Sequence, residues 1–205
     1  MDLVNYQHKY GINAFEMDNH LIAYQIIHQT GIRKGTCLEI GGGSLSVPFS
    51  RMTEMHVLLL KQESFRMKKW IDHLDVNELQ SKVRLIAGEP NRLPIESDSV
   101  NLVVSRGQFY FWRDRLRVIQ EIFRVLVPGG QAYIGGGLSL SKYMSRNTNS
   151  KYKRVNQRYY MTAFNKLNAQ LVNDFNYVIY QSGFGKMEVA YDDDGPWLII
   201  RKPIG

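Results

Sequence analysis

The chain has 205 residues, 44% hydrophobic and 22% charged, with a net charge of +7. That composition excludes an intrinsically disordered chain, and the length predicts one domain with a sizeable core rather than two. No apolar run is long enough for a membrane-spanning helix, and the opening "MDLVNYQHKYG" lacks the apolar centre of a signal peptide.

In chain order, the first predicted element is a helix over about 18–30, with Leu21, Ile22, Ile26 and Ile27 on one side and Gly31 as its stop. "GTCLEIGGG" is a short apolar strand that runs straight into glycines. "SVPFSRMTE" suits a helix, because Pro48 is tolerable in a first turn. "MHVLLLK" is a buried strand that ends in Lys61, and "SFRMKKWIDHL" carries Met67, Ile71 and Leu74 at helical spacing. "VRLIAG" and "VNLVV" are strands on either side of the loop "NRLPIESDS". "RDRLRVIQEIFRVLV" is an amphipathic helix with Leu116, Ile119, Ile122 and Leu126 as its stripe, ended by "PGG", and "QAYIG" is a fifth strand. "NAQLVNDFNYVIYQSGF" is a further helix with Leu171, Phe175 and Val178 on its core side. "KMEVAY" and "WLIIRK", joined across "DDDGP", form an antiparallel hairpin.

Near-continuous apolar strands alternating with helices imply a parallel sheet covered on both faces. The predicted fold is therefore α/β and Rossmann-like, with a seven-stranded, mostly parallel sheet and an antiparallel last strand. The expected layout is one domain over 1–205, with an N-terminal cap segment (1–33) and a basic, tyrosine-rich insert (138–160) folding over the carboxyl ends of the strands. Glycines after the first strand permit a tight turn and close approach of a ligand to free backbone N–H groups.

Three segments stand in one order and spacing: "LEIGGG", "LIAGEPNRLPIESDSVNLVVSR" and "EIFRVLVPGG". Over about 34–135 they resemble the motif series of class I S-adenosylmethionine-dependent methyltransferases, particularly the small-molecule branch that includes ubiquinone and menaquinone methyltransferases. The resemblance implies a methyltransferase with S-adenosylmethionine as cofactor. It assigns Glu39, Gly41, Gly42 and Gly43 to a first loop around the methionine moiety. Glu89 and Pro90 would sit beside adenine, with the Glu89 carboxylate accepting from the exocyclic amine. Ser105, Arg106 and Gln108 would line the cofactor and face the transfer site.

Three positions depart from that pattern. Leu45 replaces the third glycine, Asn101 stands where aspartate is common, and Lys61 occupies the place of an acid that accepts from the ribose hydroxyls. An ammonium group only donates. A lysine there can mark a 2′-phosphate, as in NADP binders, or a site that has lost its nucleotide. The reading adopted is that Gln62 or Glu63 supplies the acceptor through a shifted turn, with Lys61 as a tolerated neighbour of the ribose.

The expected acceptor is a small, anionic molecule, since 122–173 contains no acidic residue and carries Arg124, Lys142, Arg146, Lys151, Lys153, Arg154, Arg158 and Lys166. The same basic stretch with Tyr143, Tyr152, Tyr159 and Tyr160 would serve an RNA methyltransferase, and a non-catalytic binding protein on this fold is the other alternative. Tyr110, Tyr143, Tyr159 and His20 are general-base candidates by location alone. "FYFW" (109–112) is either core or a substrate wall. The five histidines show no metal-ligand spacing, and the lone Cys37 predicts a reduced, cytoplasmic setting.

Overall fold

The computed structural model describes residues 5, 9, 11–12, 14–61, 81–135, 153–184, 186–192 and 195–205. Helix α1 (Ala14–Thr30) leads into β1 (Lys34–Ile40), α2 (Ser46–Met52), β2 (Glu54–Lys61), β3 (Val83–Ala87) and β4 (Val100–Arg106). A 3-10 turn (Phe109–Phe111), α3 (Arg115–Val125), β5 (Leu126–Gly135), α4 (Lys153–Ser182), β6 (Met187–Asp192) and β7 (Gly195–Arg201) complete the order. The seven strands form one sheet in the order β3-β2-β1-β4-β5-β7-β6. Pairs from β3 through β5 are parallel, and β7 runs antiparallel to both neighbours. This is the Rossmann-like sheet that the sequence predicts. No helix of the described residues is long and apolar enough to cross a membrane.

The sheet is apolar on both sides because both are covered. On one side Ile22, Ile26 and Phe49, from α1 and α2, pack with Cys37, Val57 and Leu102. On the other, Ile119, Ile122, Leu171 and Phe175, from α3 and α4, pack with Leu38, Val103 and Ile134. Burying each such side chain contributes roughly 1.5–3 kcal/mol.

Several element boundaries differ from the sequence reading. Helix α1 starts a turn early, and its buried stripe is Ile22, Ala23, Ile26 and Ile27, while Leu21 is 39% exposed. Leu21 is next to Ile22 in sequence but lies on the side of the helix away from the stripe's centre, at about 100° of rotation per residue. Gly31, at φ 69°, ends the helix, its N–H donating to the Ile27 carbonyl at 2.9 Å. In α3, Val118 and Val125 join Ile119 and Ile122 in the core. Leu116 is only half-buried, and Leu126 already belongs to β5.

The "PGG" segment does not follow the helix as a stop; it lies inside β5. There the register jumps from Val100↔Leu126 to Leu102↔Gln131, so Pro128, Gly129 and Gly130 sit in an irregular stretch of the ladder. Proline has no N–H to give, and Gly129 takes φ 79°, so both suit a bulge better than regular pairing. Helix α4 starts at Lys153, inside the stretch expected as an insert. Lysine, arginine and glutamine are good helix formers even without an apolar stripe. The rest of the insert before residue 153, and the predicted helix carrying Met67, Ile71 and Leu74, lie outside the described residues.

Helix α3 is bound to the loop between β3 and β4 through Glu121, a buried acid. Its carboxylate accepts from the Leu93 N–H at 2.9 Å and from Arg124 Nε and Nη2 at 3.0 and 2.8 Å. Arg124 in turn donates to the Ile95 and Leu93 carbonyls at 2.8 and 3.1 Å. The "LPIESDS" and "EIFRVLV" motifs are therefore one physical unit.

The Arg124 hydrogen bonds hold the Glu121 carboxyl below its ordinary range. Stability from such a group is present above the unfolded value near 4.5 and is lost as pH falls through the lowered folded value. Glu121→Gln should cost about 1.5–3 kcal/mol at neutral pH, the usual worth of a charge-assisted hydrogen bond. It should also flatten the acid limb of the stability curve. Urea unfolding between neutral pH and pH below 4.5 checks both, and an unchanged acid limb would mean that Glu121 does not supply it.

Candidate functional site

Parallel strands bring their carboxyl ends to one edge of the sheet, and the loops that leave that edge enclose a cleft of about 870 Å³. Gly41 and Gly42 enter it from β1, Lys61 from β2, Gly88 to Asn91 from the loop after β3, and Gln108 and Phe111 to Asp114 from beyond β4. Ile40, Leu60 and Val118 add apolar wall.

The first loop is shaped from behind. Glu39, near the end of β1, is 1% exposed. Its carboxylate accepts from the Gly43 N–H at 2.9 Å, the Leu45 N–H at 3.3 Å and the Ser46 hydroxyl at 2.5 Å. Burial pushes its pKa up, and the Ser46 and backbone donors pull it partly back. Gly41 takes φ 152°, and a Cβ there would come within 2.7 Å of Gln108 Cγ, so glycine is required on both counts.

Lys61 lies across from this loop. Its Nζ donates to the Gly41 carbonyl at 2.9 Å. Burial lowers the Lys61 pKa, and the nearby Glu39 charge opposes that shift. On the third side, Arg92 N–H donates to the Glu89 carbonyl at 3.0 Å, closing a turn that presents Glu89, Pro90 and Asn91 to the cleft.

The expected site residues therefore separate into groups. Gly41, Gly42, Lys61, Glu89, Pro90 and Gln108 line the cleft. Glu39 and Gly43 form the support of its first loop. Ser105 and Arg106 are not among its lining residues: Ser105 Oγ donates to the Ile40 carbonyl at 2.8 Å, and Arg106 Nη1 donates to Asn19 Oδ1 at 2.6 Å. Gln62 and Glu63 lie outside the described residues. Of the general-base candidates, His20 and the Tyr110 hydroxyl are buried and neither lines the cleft. Burial, then the Asp174 charge, raises the Tyr110 pKa. Tyr143 and the side chain of Tyr159 lie outside the described part of the structure.

The "FYFW" segment divides between core and cleft wall. Phe109 is core, edge-on to Phe175 at 4.7 Å between ring centroids, whereas Phe111 is 76% exposed and, with Trp112, lines the cleft. Arg113, Asp114 and Asn91 are cleft residues that the motif reading omitted. Asp114 had a legible signal as the N-cap of α3, its Oδ1 accepting from the Arg117 N–H at 3.0 Å. A second hollow of about 770 Å³ shares Trp112, Arg113 and Asp114 with the cleft and continues to Arg115, Asp174 and Tyr177.

A family model described as "Methyltransferase domain" matches residues 38–134. An uncharacterised methyltransferase of Bacillus subtilis, YdaC, is 30% identical over 128 residues, 57% of this chain and 65% of that protein. A chloroplastic 2-methyl-6-phytyl-1,4-hydroquinone methyltransferase of Oryza sativa is 29% identical over 117 residues, 56% of this chain and 32% of that one. The chain thus spans less than two thirds of the length of either relative. A crystal structure from Methanococcus maripaludis, of a candidate S-adenosyl-L-methionine-dependent methyltransferase, superposes with a TM-score of 0.74 at 29% identity, covering 90% of this chain and 85% of that one. By that family model residues 38–134 match a methyltransferase domain, and with the strand order and the overlay on the Methanococcus maripaludis structure the chain has the fold of S-adenosylmethionine-dependent methyltransferases.

Proposed function

We propose that the protein transfers the methyl group of S-adenosylmethionine to a small, anionic acceptor in a cytoplasmic setting. The observation that carries this reading is the meeting of Gly41, Gly42, Glu89 and Gln108 in one cleft at the carboxyl edge of the sheet. That edge lies beside β1 and β4, the strands between which the order of the sheet reverses.

The cleft fits such a cofactor in size and chemistry. Its volume lies within the ordinary range for small-ligand sites. The glycine loop leaves backbone exposed for the polar methionine end, Ile40, Leu60 and Val118 offer apolar surface to a base, and Glu89 offers an acceptor for an amine. When bound, S-adenosylmethionine supplies a methyl group already activated by its sulfonium. The protein's own part is alignment and exclusion of water. Gln108 and Trp112 line the same cleft, and transfer from an activated donor does not require a base. The named substrates of the plant relatives, hydroquinones, support a small acceptor, and Arg113 beside the cleft supports negative charge on it.

Calorimetric titration tests this reading. S-adenosylhomocysteine should bind and NADPH should not; NADPH binding with no response to the thioether would overturn it. Glu89→Gln should weaken S-adenosylhomocysteine binding roughly ten- to a hundredfold, the equivalent of one charge-assisted hydrogen bond, at nearly unchanged melting temperature. An unchanged dissociation constant would remove Glu89 from the adenine site.

A further inference from the structure

Lys61 ends β2 one step beyond the pair Ile40↔Leu60, level with Gly41 where the β1 ladder has already stopped. Its main chain stays in the sheet, with the Gly88 N–H donating to its carbonyl at 3.0 Å. The side chain crosses to β1 and donates from Nζ to the Gly41 carbonyl at 2.9 Å. Gly41 has a backbone conformation that L side chains rarely adopt, and its neighbours Gly43 and Leu45 are held through their N–H groups by Glu39. The loop is thus gripped at its amides by an acid and at a carbonyl by a cation.

We propose that Lys61 is a positioning residue of the cofactor cleft, an ammonium strut that fixes the first glycine loop through the Gly41 carbonyl. Its role in the loop rests on this geometry alone; the identity of the ligand that the loop receives rests on the methyltransferase reading above. An acid at position 61 cannot donate to the Gly41 carbonyl, and it would add a second negative charge beside Glu39. Lys61→Asp, which would restore the family's acceptor, should therefore weaken cofactor binding.

The experiment compares the parent with Lys61→Met, Lys61→Arg and Lys61→Asp, each checked for an intact melting transition. In ligand-free protein, amide hydrogen exchange at Gly43 and Leu45 should rise roughly tenfold in Lys61→Met, while β4 amides stay unchanged. S-adenosylhomocysteine should bind at least about tenfold more weakly to Lys61→Met, and more weakly still to Lys61→Asp. Lys61→Arg, which keeps charge and donors, should recover both properties to within a few-fold. Should Lys61→Asp fail to fold, the Met and Arg variants carry the comparison. Unchanged exchange and affinity in Lys61→Met, or tighter binding in Lys61→Asp, would overturn the proposal. Faster exchange in Lys61→Met, with no thioether binding even by the parent, would support the positioning role and overturn the methyltransferase reading instead.

Discussion

Glu39 holds its carboxylate out of reach of water and accepts from the Gly43 and Leu45 amides and the Ser46 hydroxyl. A chain that turns sharply out of a strand and into a helix leaves backbone N–H groups without ladder partners, and leaving them buried and unmet is costly. One carboxylate with several lone pairs meets more than one of them at once. Its own desolvation is partly offset by those donors. Removing one partner of such a buried set typically costs about 3–5 kcal/mol, because the remaining charge is left uncompensated. The Gly41–Gly42 wall of the cleft takes its shape from this arrangement.

Glu121 repeats the device at the other end of the site. It and Arg124 tie the β3–β4 loop to α3, and that loop also contains the Glu89–Asn91 turn. Neither acid lines the cleft, yet each holds in place a loop that does. Methyl transfer from an activated donor depends on alignment, so rigid loops contribute more there than a strong base would. The burial of His20 and of the Tyr110 hydroxyl, away from the cleft lining, agrees with that division of labour.

Patterns carried by neighbouring residues were legible in the sequence. The apolar strands, the glycines after β1, the core residues Leu171, Phe175 and Val178, and the closing hairpin all follow from local periodicity and turn chemistry. What escaped depends on rotational phase or on partners far along the chain. Leu21 and Ala23 differ by two positions on one helix, and only the packing of α1 on the sheet decides which is buried. "PGG" follows a helix in sequence but bulges a strand in space, because β5 must pair with β4 on one side and meet Lys202 on the other. Phe109 and Phe111 are two residues apart, and α4 selects one for the core.

The departures from the family pattern belong to the same non-local class. Leu45, in place of a glycine, is fully buried with Phe49 and extends the core beneath the loop instead of entering the cleft. Asn101 lies toward the amino ends of the strands, where its Oδ1 accepts from the Thr36 N–H at 2.9 Å, away from any cofactor contact. Lys61 spends one donor on the Gly41 carbonyl. A desolvated lysine and a buried glutamate both bond to the first loop, one at the Gly41 carbonyl and the other at the Gly43 and Leu45 amides. Both are costly groups to bury, and they are supported here by specific hydrogen bonds. Lysine in place of the acid is therefore better explained as a different way of holding the cleft than as the loss of one.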